Sequence, residues 1–318
     1  MPGPKIYATA GAFRRALEDR LKRIAQEEKV DVNRLRRQVA FDRLLARLFQ
    51  PDQPPWVLKG GYALELLFHT ARATIDIDLT LPGVDVTGGQ PNDVIREMLQ
   101  QAAGVSLDDW FEFTIAAPIM DLDAAPYGGA RFPGEVKMDA RIFARFHLDV
   151  GVGDVVMQPV DVVECRDWLA FAGIARLSVR IIPREQQFAE KVHAYTLPRS
   201  TPNSRVKDLV DLALLVRAGE LVPPIVSAAL DATFGRRATH AVPRRLDPPP
   251  AEWLKQFAEL SEVCLAGTSM SDAFETVTAY YDGLAESEKQ AALNRMSKTA
   301  VELGLYGRNA MPDSGRDE

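Results

Sequence analysis

The stretch Leu58-Lys-Gly-Gly-Tyr-Ala-Leu64, followed by Arg72-Ala-Thr-Ile-Asp76-Ile-Asp78-Leu79, decides the reading of this chain. Trp56-Val57-Leu58 is a short apolar run, and Tyr62 to about Phe68 reads as a helix, so Gly60-Gly61 links a strand to a helix. Thr74 to Leu81 alternates and reads as a second strand. Alternate strand residues share a face, which puts Asp76 and Asp78 side by side and turns Ile75, Ile77 and Leu79 towards the core. Two carboxylates held together repel unless a shared proton or a divalent cation relieves them. Magnesium prefers one or two protein carboxylates plus substrate phosphates. Glycine lets backbone approach a ligand closely, and a helix amino terminus favours anions. The spacing therefore fits a triphosphate at the glycine turn, with Mg2+ or Mn2+ at Asp76 and Asp78 facing an attacking hydroxyl. Lys59, Gly60, Gly61, Arg72 and Thr74 are the candidate nucleotide contacts. A glycine pair alone is often only a turn, and Asp-x-Asp alone is often a solvated strand. The two in succession are far more specific.

Around this centre the chain divides by periodicity. Residues 10–50 read as two helices, with Phe13, Leu17, Leu21 and Ile24 on one stripe and Leu35, Val39, Leu44 and Leu48 on the other,. Pro51 to Pro55 ends the second. Residues 91–104 read as a helix with Pro91 in its first turn. Phe111 to Ile119 reads as a strand, the Gly- and Pro-rich 121–134 as a loop, and Val136-to-Ile142 and Phe146-to-Val150 as strands. Gly151 and Gly153 suggest a tight turn towards Val155-Val156, and Leu177 to Ile182 is the last strand. Helices are expected at 184–197, 205–217, 223–234, 251–265 and 270–303, the last broken near Glu286. The result is an α+β fold: a mixed sheet core flanked by helices, with a helical carboxy-terminal part. The expected units are 1–50 (helical), 51–183 (sheet core), 184–305 (helical) and a disordered tail at 306–318.

Composition sets limits. The 318 residues are 47% hydrophobic and 26% charged, the balance of a soluble globular protein,. Two cysteines, Cys165 and Cys264, suit a reducing compartment and give no ligand cluster,. His69, His147, His193 and His240 show no metal-ligand spacing, and His193 reads as a helix-surface residue. The amino terminus lacks a signal-peptide pattern, and no apolar run approaches the roughly 18–20 residues that span a bilayer, so a cytoplasmic protein without membrane contact is expected. A net charge of −6 argues against non-specific coating of nucleic acid but leaves room for local basic patches,. One is Arg236, Arg237, Arg244 and Arg245, which could meet RNA phosphates or simply complement a helix end.

The helices after 184 add further chemistry. Lys191 borders the apolar stripe of Phe188, Val192 and Tyr195 and could neutralise phosphate in a groove, or snorkel. Asp208 and Asp211 lie three apart in an otherwise apolar helix, and an acid there needs a partner. Leu58-Lys-Gly-Gly with Ala71-to-Leu79, and Glu190-Lys191 with Arg205-Val-Lys-Asp-Leu-Val-Asp-Leu212, resemble the AbiEii/AbiGii family of toxin nucleotidyltransferases over about residues 35–250. The resemblance implies transfer of a nucleoside monophosphate from an NTP in a toxin–antitoxin or phage-defence setting, with a cognate antitoxin. For some members it implies modification of the acceptor end of tRNA, which blocks translation. It also implies that Lys191 contacts nucleotide phosphates and that Asp208 or Asp211 completes the site, Asp208 being favoured and Asp211 left open. The pattern also resembles the wider nucleotidyltransferase superfamily, which implies a third metal-site acid on a later strand: Asp149, with Asp139 as rival. Transfer to a protein or small-molecule hydroxyl, and a non-catalytic interaction module, are the alternatives.

Overall fold

The computed structural model describes residues 6–51, 54–68, 71–82, 91–122, 125–200 and 202–285. His69, the end of the expected last helix and the 306–318 tail lie outside these residues. Two helices open the chain, α1 (Ala10–Glu28) and α2 (Val32–Leu48). Both carry side-chain caps that satisfy otherwise unpaired first-turn donors. Thr9 Oγ1 accepts from the Ala12 N–H at 3.2 Å, and Asp31 from the Asn33 N–H at 3.0 Å,. The middle contains β1 (Val57–Lys59), α3 (Gly60–Leu67), β2 (Asp76–Leu81), α4 (Pro91–Ala103), β3 (Glu112–Ile115), β4 (Met120–Asp121), β5 (Gly129–Met138), β6 (Arg141–Val152), β7 (Asp161–Glu164) and β8 (Ser178–Ile181). Helices α5 (Arg184–Thr196), α6 (Val206–Arg217), α7 (Pro223–Arg237) and α8 (Leu254–Ser261) follow, with a further helix over 270–285.

The strands form one sheet in the order β3-β5-β6-β2-β1-β8-β7, with β4 paired to β5 beside that path. It is mixed. β2 runs parallel to β6 and antiparallel to β1, and β1 runs parallel to β8. The expected mixed sheet between helices is thus the fold found. One sheet face carries Leu58, Ile77, Leu79, Phe132, Leu148 and Val150 into an apolar cluster shared with α1, α2 and α4. A second cluster joins α5, α6, α7, α8 and the 270–285 helix. Helix α3 straddles the two, with Tyr62 and Ala63 in the first and Leu64 in the second. Its back is fixed by Tyr62, whose hydroxyl donates to Asp42 Oδ1 at 2.5 Å, while Trp168 Nε1 donates to Asp42 Oδ2 at 2.9 Å. Burial pushes the Asp42 carboxyl up to about 6 despite these donors,.

Several sequence expectations need correction. Half of the supposed loop at 121–134 belongs to sheet: Asp121 ends β4 and Gly129 begins the ten-residue β5. Gly129 and Gly134 are close-approach positions within β5, whereas Gly128 lies before the strand with open space around it,. A Cβ on Gly129 would lie 2.1 Å from the Val150 carbonyl oxygen, and one on Gly134 would lie 2.4 Å from the Phe146 ring. The single strand expected from Val136 to Ile142 is a hairpin. Met138 pairs with Arg141, and Asp139 and Ala140 form the turn with φ of +54° each, the handedness that two-residue hairpins need,. β3 is shorter than Phe111–Ile119, Val155-Val156 is not a strand, and β7 has no counterpart among the expected elements. Ile75 is 51% exposed rather than in the core, because β2 begins only at Asp76.

A buried charge cluster ties α2 to the chain entering β3. Asp109 is 1% exposed and accepts from Arg43 Nε at 2.7 Å and from Arg47 at 2.9 and 2.7 Å. Asp109→Ala leaves two buried guanidinium groups unpaired and is expected to cost about 3–5 kcal/mol. Urea unfolding measures this, and a loss below about 1 kcal/mol would contradict it.

Candidate active site

The β1-α3-β2 unit sets the geometry. Lys59 pairs across the ladder with Asp78, and α3 begins at once with Gly60 at a φ of +70°. A Cβ at position 60 would lie 2.0 Å from Asp78 Oδ2, and one at 61 would lie 2.9 Å from Thr74 Oγ1. Both glycines are required by close approach. Lys59, at the cap position of α3, supplies no side-chain acceptor to the first turn. The amino end of this helix therefore faces the Asp78 carboxylate without a capping side chain.

Asp76 and Asp78 share the face of β2 opposite the core, and both are half-buried. Parallel pairing aligns Asp76 with His147 and Asp78 with Asp149. His147 Nδ1 lies 3.1 Å from Asp76 Oδ1. The Asp149 carboxylate is held by Arg131, which donates from Nε at 2.7 Å and from its terminal nitrogen at 2.6 Å. The same terminal nitrogen is 3.6 Å from Asp76. Burial and the neighbouring Asp149 push the Asp78 carboxyl up to about 6, against the pull of Lys191 and Lys59,. Asp139, the rival third acid, sits in the β5–β6 turn beside Gly11 and is not on this face.

The facing wall is helical. Lys191 Nζ reaches Asp208 at 3.0 Å and Asp211 at 2.7 Å. Arg72, on the loop before β2, makes a two-pronged bond to Asp211 at 2.8 and 2.7 Å. Burial opposes the charged form of Lys191, but Asp211 and Asp208 outweigh it and raise its pKa. Burial likewise opposes ionised Asp211, but Lys191 and Arg72 hold its carboxyl below the usual range. A second network crosses the junction. Lys59 Nζ donates to Asp154 at 2.6 Å and to Glu190 at 3.1 Å, and Arg237 bonds the same two acids at 3.0 and 3.1 Å. Burial would raise the Asp154 carboxyl, yet Lys59 and Arg237 hold it at about 2.

Between the walls lies a cleft of about 330 Å³, lined by Lys59, Gly60, Asp78, Arg131, Asp149, Lys191, Asp208 and Arg237 among others. Asp208 lines it, while Asp211, 1% exposed, stands behind, bonded to Arg72. Gly61, Arg72 and Thr74, expected at the nucleotide, support the turn and the helical wall from outside the cleft lining. For a divalent cation, the donor set has hard oxygens. Among the described residues the Asp78 carboxylate has no hydrogen-bond or ion-pair partner, and burial and then Asp149 raise its pKa. Among the described residues no three metal-capable side chains converge, since Asp149 is turned to Arg131. The residues fit an ion held by Asp76 and Asp78 with the remaining positions taken by phosphate oxygens and water, the usual arrangement for magnesium.

Residues 43–281 match the family model described as nucleotidyl transferase AbiEii toxin, type IV toxin–antitoxin system. The chain belongs to the AbiEii family. This AbiEii chain is therefore a nucleotidyltransferase toxin of a type IV system. Its fold is similar to MenT4, a nucleotidyltransferase toxin from Mycobacterium tuberculosis, with a TM-score of 0.56 and 18% identity over 84% of this chain and 89% of that one. JHP933 from Helicobacter pylori matches at a TM-score of 0.47 and 14% identity, over 83% and 97% of the two chains. No curated protein sequence matches.

Within the AbiEii chain, Arg237 and His193 are placed differently from expectation. Arg237 is not a surface cation, because it is bound to Asp154 and Glu190 within the cleft wall. Arg236 is exposed, donates to the Gly153 carbonyl at 2.7 Å and lies over the Tyr127 ring. Arg244 and Arg245 are exposed and line a separate groove beside Tyr281 and Asp282. His193 is 1% exposed, bonded to Thr239 at 2.8 Å, and pushed down to about 3 by burial and by Arg237, so it is a packing residue. Sequence reasoning misses Arg131 because its strand reads as a loop. The signal is the alternation Ala130, Phe132, Val136, Met138 against Arg131, Glu135 and Lys137, interrupted by Pro133-Gly134.

Asp78 holds its proton more tightly in the folded chain (about 6) than in the unfolded one (3.8). Its contribution to stability is present below pH 3.8 and is lost as pH rises through about 6,. Asp78→Asn escapes that loss and is expected to stabilise the protein by about 1–3 kcal/mol at pH 8, with little gain at pH 4. Thermal melts at both pH values measure it, and a gain independent of pH would contradict it. Gly60→Ala should lower stability, because the methyl meets Asp78 and the backbone conformation disfavours a side chain,.

Proposed function

We propose that this toxin transfers a nucleoside monophosphate from an NTP to the 3′-terminal hydroxyl of tRNA, with Mg2+ or Mn2+, and so blocks translation until a cognate antitoxin restrains it. One observation carries the reading: Asp78, on the strand face it shares with Asp76, lines the same cleft as Gly60, Lys191 and Asp208. A divalent cation at Asp76 and Asp78 would polarise the α-phosphate and stabilise charge in the transition state.

The chain's own groups account for the rest. Gly60 leaves room for phosphate at the amino end of α3, whose dipole favours the anion,. The acceptor hydroxyl oxygen forms a new bond to the α-phosphorus as its proton passes to solvent, the bond from the α-phosphorus to the oxygen bridging it to the β-phosphate breaks, and pyrophosphate leaves. Lys191, kept charged by Asp208 and Asp211, meets the negative charge that moves onto the leaving group,. Asp208 is the acid that orients Lys191 from within the cleft, and Asp211 sets the other end of the pair through Arg72. Arg131 positions Asp149 beside Asp78 and moderates repulsion among the three acids. Exposed Arg236, Arg244 and Arg245 supply cations for the phosphates of a large polyanionic acceptor,.

Incubation with each α-labelled NTP, magnesium and total RNA tests this. Label is expected on tRNA, with loss of about 10²–10³-fold in Asp78→Asn, the range for removing a group that stabilises transition-state charge. Label on protein or metabolite alone, or undiminished transfer by the variant, would contradict it. Lys191→Ala is expected to lower the rate while leaving RNA binding intact.

A further inference from the structure

A second groove, of about 670 Å³, adjoins the acid face from outside the nucleotide cleft. Alternation along the strands makes it a continuation of the same surface. On β6, Arg145, His147 and Asp149 point to one side, and on β5, Lys137, Glu135, Pro133 and Arg131 share that side,. Cross-strand pairing sets these in rows. Asp149 faces Arg131, His147 lies between Pro133 and Asp76, and Arg145 faces Glu135. Arg145 is therefore four residues from Asp149, about 13 Å along the strand.

The lining has the character of a polynucleotide track. Its apolar surface is made by Ile75 and Pro133, while the Phe146 ring behind Gly134 belongs to the core on the other face. Ile75, 51% exposed immediately before Asp76, sits where the groove meets the acids. Three cations, Arg37, Lys137 and Arg145, border it against one acid, Glu135, which Lys137 and Arg145 share at 3.4 and 2.9 Å. Lys137 and Arg145 are 46% and 68% exposed, so one carboxylate leaves much of their charge available. Among the described residues Arg37 has no ion-pair or hydrogen-bond partner, and its Nε is buried without one. An unmatched guanidinium calls for an anion. The nucleotide cleft differs in kind, because there Lys59, Lys191, Arg131 and Arg237 are all paired with acids.

We propose that this groove holds the single-stranded 3′ segment of an RNA acceptor, its phosphates on Arg37, Lys137 and Arg145 and its bases against the apolar floor, so that the strand's end arrives at Asp76. The inference rests on nucleic acid being the acceptor of the proposed reaction.

The test uses the full chain in two measurements. Fluorescence anisotropy with a labelled single-stranded RNA oligonucleotide reads binding in Lys137→Glu/Arg145→Glu and in Glu135→Gln, with thermal melts as the folding control. The double variant is expected to bind at least tenfold more weakly, with the slope of log affinity against log salt reduced by about 0.7 for each phosphate that is no longer neutralised. Glu135→Gln, which removes only the competing acid, is expected to tighten binding severalfold. Steady-state transfer should show a raised KM for RNA, with the KM for NTP within twofold of the parent. RNA binding and RNA KM unchanged in all variants, while label is still transferred, would overturn the groove and leave the transfer reading standing. RNA bound through the groove without any label transferred would support the groove and remove the transfer reading.

Discussion

A side chain at position 60 would place its first carbon 2.0 Å from the carboxylate of Asp78, and that lack of space organises the whole site. Strand β1 and strand β2 are neighbours, and α3 starts at the residue after β1 ends. With glycine at the turn, the helix amino terminus and the acid face come together on one side of the sheet. Core packing then fixes both partners. Ile77 and Leu79 anchor β2 from beneath, while Tyr62 and its bond to Asp42 anchor α3 from behind.

The junction between sheet and helices is made of charges rather than apolar surface alone. Arg72 carries the loop before β2 onto Asp211 of α6, and Lys59 carries the end of β1 onto Glu190 of α5. Each pair is well bonded, which matters because removing one partner from a buried pair costs far more than the pair itself contributes. Asp78 contrasts with them. Its carboxyl is displaced upward, with burial and Asp149 acting together against the ionised form. A fold that leaves one acid so placed gives up stability at that position, a common relation between functional sites and stability.

Much of this is legible in the sequence because the relevant signals are local. The Gly60-Gly61 turn, the Asp76/Asp78 alternation and the apolar stripes of α2, α5 and α6 each span only a few residues. The family resemblance draws on the same segments. Alternation places Asp149 on one face with His147, and the register with Asp78 shows why that face matters. What fails is long-range. Gly129, Pro133 and Gly134 read as loop residues, yet the two glycines are small because another strand or ring lies against them. That error hides β5, and with it Arg131 and the groove beyond. The partners of Arg237 and His193 depend on how α5, α7 and the end of β6 pack, which no local pattern records.

The central claim is that Asp76 and Asp78, with the Gly60 turn and Lys191, form a single site for a nucleotide and its divalent cation. Calorimetric titration of a non-hydrolysable NTP analogue, with and without Mn2+, tests it most directly. The account predicts strong cation-dependent binding that is lost in Asp76→Asn/Asp78→Asn and weakened in Lys191→Ala. Binding of the analogue that needs no cation, or that is undiminished by both variants, would contradict it.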